Sequence, residues 1–320
     1  MKVSEILAGS TKAYPSIEIV PPLRGVTKNE LLESIAPFME FSPKYINVTS
    51  HRDEFEYRQE ADGSFSRHLV RNRINETTVC AAIMSRYDVA VIPHLICGGS
   101  TKEEIDSKLD NLAFLGIDNL VALRGDSLSG EKRFTPTPGG YSYASELVEA
   151  IRRRDSSTSL GMTGERKGMT DGRFCIGVGA YPEKHFEAAN LETDILNLKK
   201  KVDAGADYIV TQMFFDNQVF YDFVEKCRAA GISAPIIPGL KPLSTARQIS
   251  VLPEAFSLDI PLELTQEIEK HSNDKEAVYR IGTEWCTMQC KDLLKHGVPA
   301  VHFYTMGKSR NITDILRECF

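Results

Sequence analysis

The sequence has few of the features that would direct it to a membrane, a nucleic acid or an oxidising compartment. Its apolar runs stop well short of the roughly 18–20 residues a bilayer helix needs, and the opening MKVSEILAGSTK has no secretory h-region. No membrane partner is expected. A formal charge of −6 leaves no basic surplus, so nucleic acid is not an expected partner either. The seven cysteines (Cys80, Cys97, Cys175, Cys227, Cys286, Cys290 and Cys319) are odd in number, scattered, and contain no CxxC pair. Reduced thiols in a cytoplasmic protein fit that pattern. Cys286 and Cys290 lie one helical turn apart, a spacing open to a metal pair or to the buried face of a helix. No further ligand pair accompanies them, so core packing is the better reading and no metal is expected. A Walker A sequence is missing. The nearest approach to a dinucleotide fingerprint, Gly177-Val-Gly179-Ala-Tyr-Pro182, lies within a strand pattern and lacks the third glycine.

What remains is an ordinary core-forming composition, 42% hydrophobic and 26% charged over 320 residues. Strand patterns fall at 16–20, 45–49, 89–97, 120–123, 174–181, 208–213, 236–240 and 301–304. Helical patterns fall between them, at 29–41, 76–87, 102–115, 143–153, 191–204 and 218–230, then through to 295, with a last one at 312–318. The segment between 51 and 68 reads only as charged, and 154–173, rich in Ser, Thr and Gly, reads as a flexible insertion. Eight strand–helix units in sequence, with no run of hairpin turns, imply right-handed crossovers and a parallel sheet. At this length a single closed (β/α)8 TIM barrel over residues 1–320 is expected, with an open Rossmann sheet as the alternative.

In such a barrel the ligand site lies where the strands end. The strand ends carry Glu18; Thr49 and His51; His94; Arg124 and Asp126; Tyr181 and His185; Gln212; Lys241; and Tyr304 with Lys308. Ordinary turns would use Gly, Asn and Ser more freely. The stretch Asn119-Leu-Val-Ala-Leu-Arg-Gly-Asp126 concentrates the pattern: a strand buried on both faces, a charged tip around a glycine, then a Gly/Pro/Ser-rich loop. A ligand site and a surface turn with a salt bridge both account for that tip taken alone.

In Ser16-Ile-Glu-Ile-Val20, alternation sets Glu18 on the face opposite Ile17 and Ile19. A carboxylate inside a barrel is costly unless paired or protonated, and burial raises its pKa, which suits a general acid near neutral pH. A structural ion pair with a neighbouring strand explains it equally well. On the helix over 191–204, Asp194, Asn197 and Lys201 form a polar stripe able to meet a ribose and a diphosphate, although a solvated helix face is the commoner reason for such a stripe.

Taken together, the motifs resemble methylenetetrahydrofolate reductase. They are Glu18-Ile-Val-Pro-Pro22, Val48-Thr49, His94-Leu95, Leu123-Arg-Gly-Asp126, Tyr143-Ala-Ser145, Ala180-Tyr-Pro-Glu-Lys-His185, the 197–206 segment NLKKKVDAGA, Thr211-Gln-Met-Phe-Phe-Asp216, Ile237-Pro-Gly239 and His302-Phe-Tyr-Thr305. The resemblance implies a flavoprotein that reduces 5,10-methylenetetrahydrofolate to 5-methyltetrahydrofolate with NADH or NADPH, by ping-pong hydride transfer through FAD. It implies FAD-binding roles for Thr49, His94, Arg124, Gly125, Asp126, Tyr143, Ala144, Tyr181, His185, Asp194, Asn197 and Lys201. Glu18 is implied as the catalytic acid and Asp126 as a second catalytic group. Gln212, Tyr304 and Lys308 join them on the substrate side. Two positions depart from the family pattern: Leu252 replaces an aromatic found in some bacterial members, and Lys308 replaces an arginine, losing its bidentate fork. The implied protein is a cytoplasmic homo-oligomer ending before any C-terminal regulatory domain. Two other classes stay open: a barrel lyase or aldolase using Lys241 as a Schiff-base lysine, and a non-catalytic flavin- or folate-binding subunit.

Overall fold

A computed structural model of the chain describes residues 1–9, 12–127, 131, 133–158, 174–307 and 310–320. The chain opens with α1 (Val3–Gly9), β1 (Tyr14–Ile19), α2 (Lys28–Met39) and β2 (Tyr45–Val48). Next come β3 (Glu54–Gln59), β4 (Phe65–Val70), α3 (Glu76–Met84), β5 (Ala90–Ile96), α4 (Lys102–Phe114) and β6 (Asn119–Leu123). The middle holds α5 (Ala144–Thr158), β7 (Cys175–Ala180), α6 (Leu191–Asp203), β8 (Tyr208–Met213), α7 (Asn217–Ala229) and β9 (Ile236–Leu240). It closes with α8 (Gln248–Phe256), α9 (Leu262–Lys270), α10 (Lys275–Lys295), β10 (Ala300–Tyr304) and α11 (Arg310–Cys319). Eight strands, all parallel, close into a barrel in the order β1-β10-β9-β8-β7-β6-β5-β2. The chain is therefore the expected (β/α)8 barrel and not an open sheet.

Strand alternation sorts the side chains into two cores. Ile17, Ile19, Ile46, Val48, Leu95, Leu120 and Ile176 point outward and pack against the helices. Tyr45, Ile92, Val121, Cys175, Tyr208, Ile237 and Ala300 belong to a separate cluster in the barrel interior, together with Val3, Ile6 and Leu7 of α1. That helix plugs the barrel floor: the Val3 N–H donates to Asn119 Oδ1 at 2.8 Å and Asn119 Nδ2 donates to the Met1 carbonyl at 2.9 Å. With the floor apolar and plugged, the polar inward residues concentrate toward the strand ends. Helix entries are fixed locally: Thr27 with Glu30, and Thr101 with Glu104, form capping boxes before α2 and α4.

Three features differ from the sequence expectation. The helix α1 begins at the chain start with too few residues for a periodic signal. The charged segment after β2 is an antiparallel hairpin, β3 with β4, turning at Asp62-Gly63, where Gly63 has φ +83°. Its alternation is masked by charges on both faces, leaving the Asp-Gly pair as its signal. The segment expected as an insertion, 154–173, begins as helix: α5 continues to Thr158, and 159–173 lie outside the described residues. Cys286 and Cys290 both face the outer core, as the packing reading required. No helix among the described residues is long and apolar enough to cross a membrane.

Gly282 lets α10 pack closely on the loop after β9, since a Cβ there would run into the Leu243 carbonyl. Alanine ordinarily gains up to about 1 kcal/mol over glycine inside a helix. Here the clash is with backbone, which no rotamer relieves, and overpacking costs about 1–3 kcal/mol or more. Gly282→Ala should therefore lower the urea unfolding midpoint. An unchanged or raised midpoint would show that α10 has room to shift.

Candidate functional site

Glu18 stands in register with Tyr304 of β10 and Asn47 of β2, and its residue is 8% exposed. One carboxylate oxygen lies 3.6 Å from His302 Nε2 and 3.8 Å from His94 Nε2. Beneath them Asn47 Nδ2 donates to Ser16 Oγ at 3.1 Å, and Ser16 Oγ lies 2.9 Å from His302 Nδ1. With the amide donating to it, the Ser16 hydroxyl is free to give its own proton to Nδ1, which leaves Nε2–H facing Glu18. Thr305 Oγ1 donates to the Glu18 carbonyl at 2.8 Å, tying β1 to the end of β10. The expected rise in the Glu18 pKa is corrected here. Burial does raise it, but the contact with His302 and the charges of His94, His302 and His51 outweigh burial and hold the carboxyl below its ordinary value. Burial pushes His94 down to about 4, so that imidazole is neutral at pH 7.

A second group gathers where β6 and β7 end. Arg124 follows β6, and Gly125 takes φ +84° against Ile96, a conformation that favours glycine. Arg124 Nη1 pairs with Glu187 Oε2 at 2.5 Å, and its guanidinium lies 4.9 Å from the Phe134 ring centroid. Asp194 of α6 accepts the His185 backbone N–H at 2.8 Å, and Tyr181 meets His185 edge-on at 4.7 Å between ring centroids. Lys201, one helical stretch further on, donates to the Gly179 carbonyl at 2.6 Å. Burial lowers its pKa to about 8, against the pull of Asp194 and with a push from Arg124. Asp126 is exposed, and its carbonyl accepts from Arg52 Nη1 at 3.4 Å.

The remaining expected residues are placed unevenly. Thr49 Oγ1 lies 3.0 Å from His51 Nε2 at the end of β2, and Ala144 opens α5. Tyr143 is 59% exposed, and Asn197 is an exposed residue whose amide oxygen accepts from Lys200. Gln212 accepts its neighbour's N–H, from Met213, at 2.9 Å. The Tyr304 hydroxyl donates to the Thr211 carbonyl at 2.6 Å across Gly239, where a Cβ would come within 2.6 Å of the Tyr304 ring. Leu252 is buried in an apolar cluster between α8, α9 and α10. Lys308 lies outside the described residues. Lys241 is buried, within electrostatic reach of the Cys286 thiol. Sequence reasoning gave no role to His302, Ser16, Asn47, Phe134 or Glu187. For His302 the signal was present, because it shares the inward face of β10 with Tyr304.

Fold and site together define a (β/α)8-barrel protein with a carboxylate–imidazole cluster on β1, β5 and β10 and a cation–carboxylate cluster where β6 and β7 end. The family model described as methylenetetrahydrofolate reductase matches residues 2–319, and the chain belongs to that family. It is similar to methylenetetrahydrofolate reductase (NADH) 1 of Zea mays, 32% identical over 330 residues, which cover 99% of this chain and 50% of the relative. It is also similar to 5,10-methylenetetrahydrofolate reductase of Escherichia coli (strain K12), 31% identical over 294 residues, 92% of this chain and 86% of the relative. The Arabidopsis thaliana relative named methylenetetrahydrofolate reductase (NADH) 1 is 37% identical over 237 residues, and this match takes in only 38% of that relative. The chain thus spans about half the length, or less, of these plant relatives. Among solved structures, an uncharacterized protein from Clostridium thermocellum that binds two copies of 5-methyl-5,6,7,8-tetrahydrofolic acid aligns with a TM-score of 0.60. At 13% identity over 100% of this chain and 98% of that one, it shows the shared fold.

Lys201 gives a test of the second cluster that needs no ligand. Below pH about 8 the ammonium is charged both folded and unfolded, and the folded site penalises it. Between about 8 and the ordinary 10.5 the unfolded chain still holds the proton that the folded one has lost, so this group makes stability rise with pH. Lys201→Met should stabilise the protein at pH 7 by about 1–3 kcal/mol, less whatever the lost hydrogen bond contributed. The gain should shrink across that pH interval. Denaturant titrations at several pH values read it, and destabilisation at pH 7 or a pH-independent difference would contradict the assignment.

Proposed function

We propose that the chain reduces 5,10-methylenetetrahydrofolate to 5-methyltetrahydrofolate, with NADH or NADPH as electron donor and FAD as cofactor. The observation that carries the reading is Glu18, a carboxylate set between two imidazoles at the mouth of a barrel whose chain belongs to this family. The residues present suit FAD. Arg124 and Lys201 offer a guanidinium and a partly buried ammonium, and Lys201 gives one hydrogen bond, to Gly179, out of three donors. The left-handed Gly125 lets backbone at the strand end come close to a ligand. Thr49, His94, Arg124, Gly125, Asp126, Tyr143, Ala144, Tyr181, His185, Asp194, Asn197 and Lys201 would hold it. Bound FAD would supply two-electron hydride carriage between the nicotinamide and the folate methylene carbon.

The protein's own part is position and one proton. Glu18 is held below its ordinary pKa in the free protein, so it must take up a proton before it can give one. From Glu18 it would pass to the folate nitrogen whose bond to the methylene breaks, opening the substrate to its iminium form. His302, fixed by Ser16, sets the carboxylate's direction. Asp126 and Gln212 would meet the pterin, and Tyr304 and Lys308 would line the substrate side.

Glu18→Gln separates this role from a bracing one. Glutamine keeps the shape but has no acidic proton. Positioned acid catalysis is worth about 10²–10⁴-fold, so reoxidation of the reduced enzyme by methylenetetrahydrofolate should slow by that order. Reduction by NADH or NADPH needs no such proton and should keep its rate. Stopped-flow absorbance follows both. Wild-type reoxidation would remove Glu18 as the acid, and equal loss in both half-reactions would make it a structural brace.

A further inference from the structure

Arg124 ends β6 with its positive charge already answered from within the chain. Its Nη1 lies 2.5 Å from Glu187 Oε2, and both side chains are 21% exposed. Glu187 is held at two more points: Oε1 accepts the Phe134 N–H at 3.3 Å, and its own N–H donates to His185 Nδ1 at 3.1 Å. The carboxylate thus takes a guanidinium donor that an anionic oxygen of a ligand could otherwise use. The surrounding charges sharpen the point. Arg124 and Lys201 are answered by Glu187 and Asp194, and all four act on His185. A diphosphate brings further negative charge into a cluster that is already balanced. Of the two carboxylates, Asp194 is fixed on a helix against a backbone N–H, whereas Glu187 sits on a connecting loop at the rim.

We propose that Glu187 is an internal competitor for the diphosphate of the bound dinucleotide: it neutralises Arg124 in the free protein, and the ligand's phosphate displaces it. The identity of that dinucleotide as FAD rests on the function proposed above; the competition itself rests on the ion pair. Glu187 then sets how readily the site exchanges its cofactor, and a site without it binds more tightly. The alternative is that Glu187 aims Arg124 at the phosphate, in which case removing its charge weakens binding.

The test uses the full chain, freed of bound nucleotide, and calorimetric titration with inorganic pyrophosphate, FAD and riboflavin. Wild type, Glu187→Gln, Glu187→Ala and Glu187→Asp are compared at one ionic strength. Glutamine can still accept the Phe134 N–H, so it removes charge with little change of shape. Glu187→Gln should bind pyrophosphate and FAD about 2- to 5-fold more tightly, the range one rim ion pair commands. Riboflavin, which has no phosphate, should bind as it does to wild type, and Glu187→Asp should behave like wild type. Glu187→Ala should follow Glu187→Gln. Pyrophosphate binding that is unchanged or weaker in Glu187→Gln overturns the proposal, even where FAD binds well. If wild type takes up no FAD while pyrophosphate still binds more tightly to Glu187→Gln, the flavin reading fails and the competition stands.

Discussion

The contact that the rest of the mouth depends on is the one between Glu18 and His302. A carboxylate inside a barrel is tolerated only if something nearby compensates for the water it has lost. Here β10 brings an imidazole to 3.6 Å, and β5 brings another to 3.8 Å. The supporting layer beneath, Asn47 to Ser16 to His302, fixes which ring nitrogen faces the carboxylate. Each member comes from a different strand or a different level of the barrel, so the arrangement exists only once the barrel has closed. The apolar floor and the α1 plug keep the interior beneath this layer lined with hydrophobic side chains.

Where β6 and β7 end, charge is arranged differently. Lys201 is charged where burial disfavours it, and Arg124 is matched by a carboxylate on a loop. A protein selected for stability alone would bury neither arrangement at a strand end. Groups whose charge is disfavoured in the free protein mark the place where a ligand of opposite charge supplies the missing interaction. In the proposed function the two clusters divide the work: one would handle a proton and the other would hold an anion.

Much of this was legible in the sequence, for a physical reason. Parallel strands buried on both faces read as short apolar runs, and the strands Tyr208–Met213 and Ile236–Leu240 fall where those runs begin and end. The strand ends could be read as a set because the barrel places them together. Pairings between distant residues could not be read. Alternation put Glu18 inside but could not name His302, so burial alone set the expected pKa direction, and the expectation had the wrong sign. Arg124 and Glu187 are 63 residues apart, and nothing local joins them. Tyr143 follows from the resemblance alone and Asn197 from the polar stripe as well, and both are exposed in the free protein.

The central claim is that these clusters form one flavin and folate site, and the absorption spectrum of the purified full chain tests it most directly. Recorded without oxygen, it should show the bands of an oxidised flavin, lose them on addition of NADH or NADPH, and regain them when methylenetetrahydrofolate follows. A protein that shows no flavin bands and takes up none from added FAD, or one whose bands, once bleached, do not return with the folate, would contradict the account.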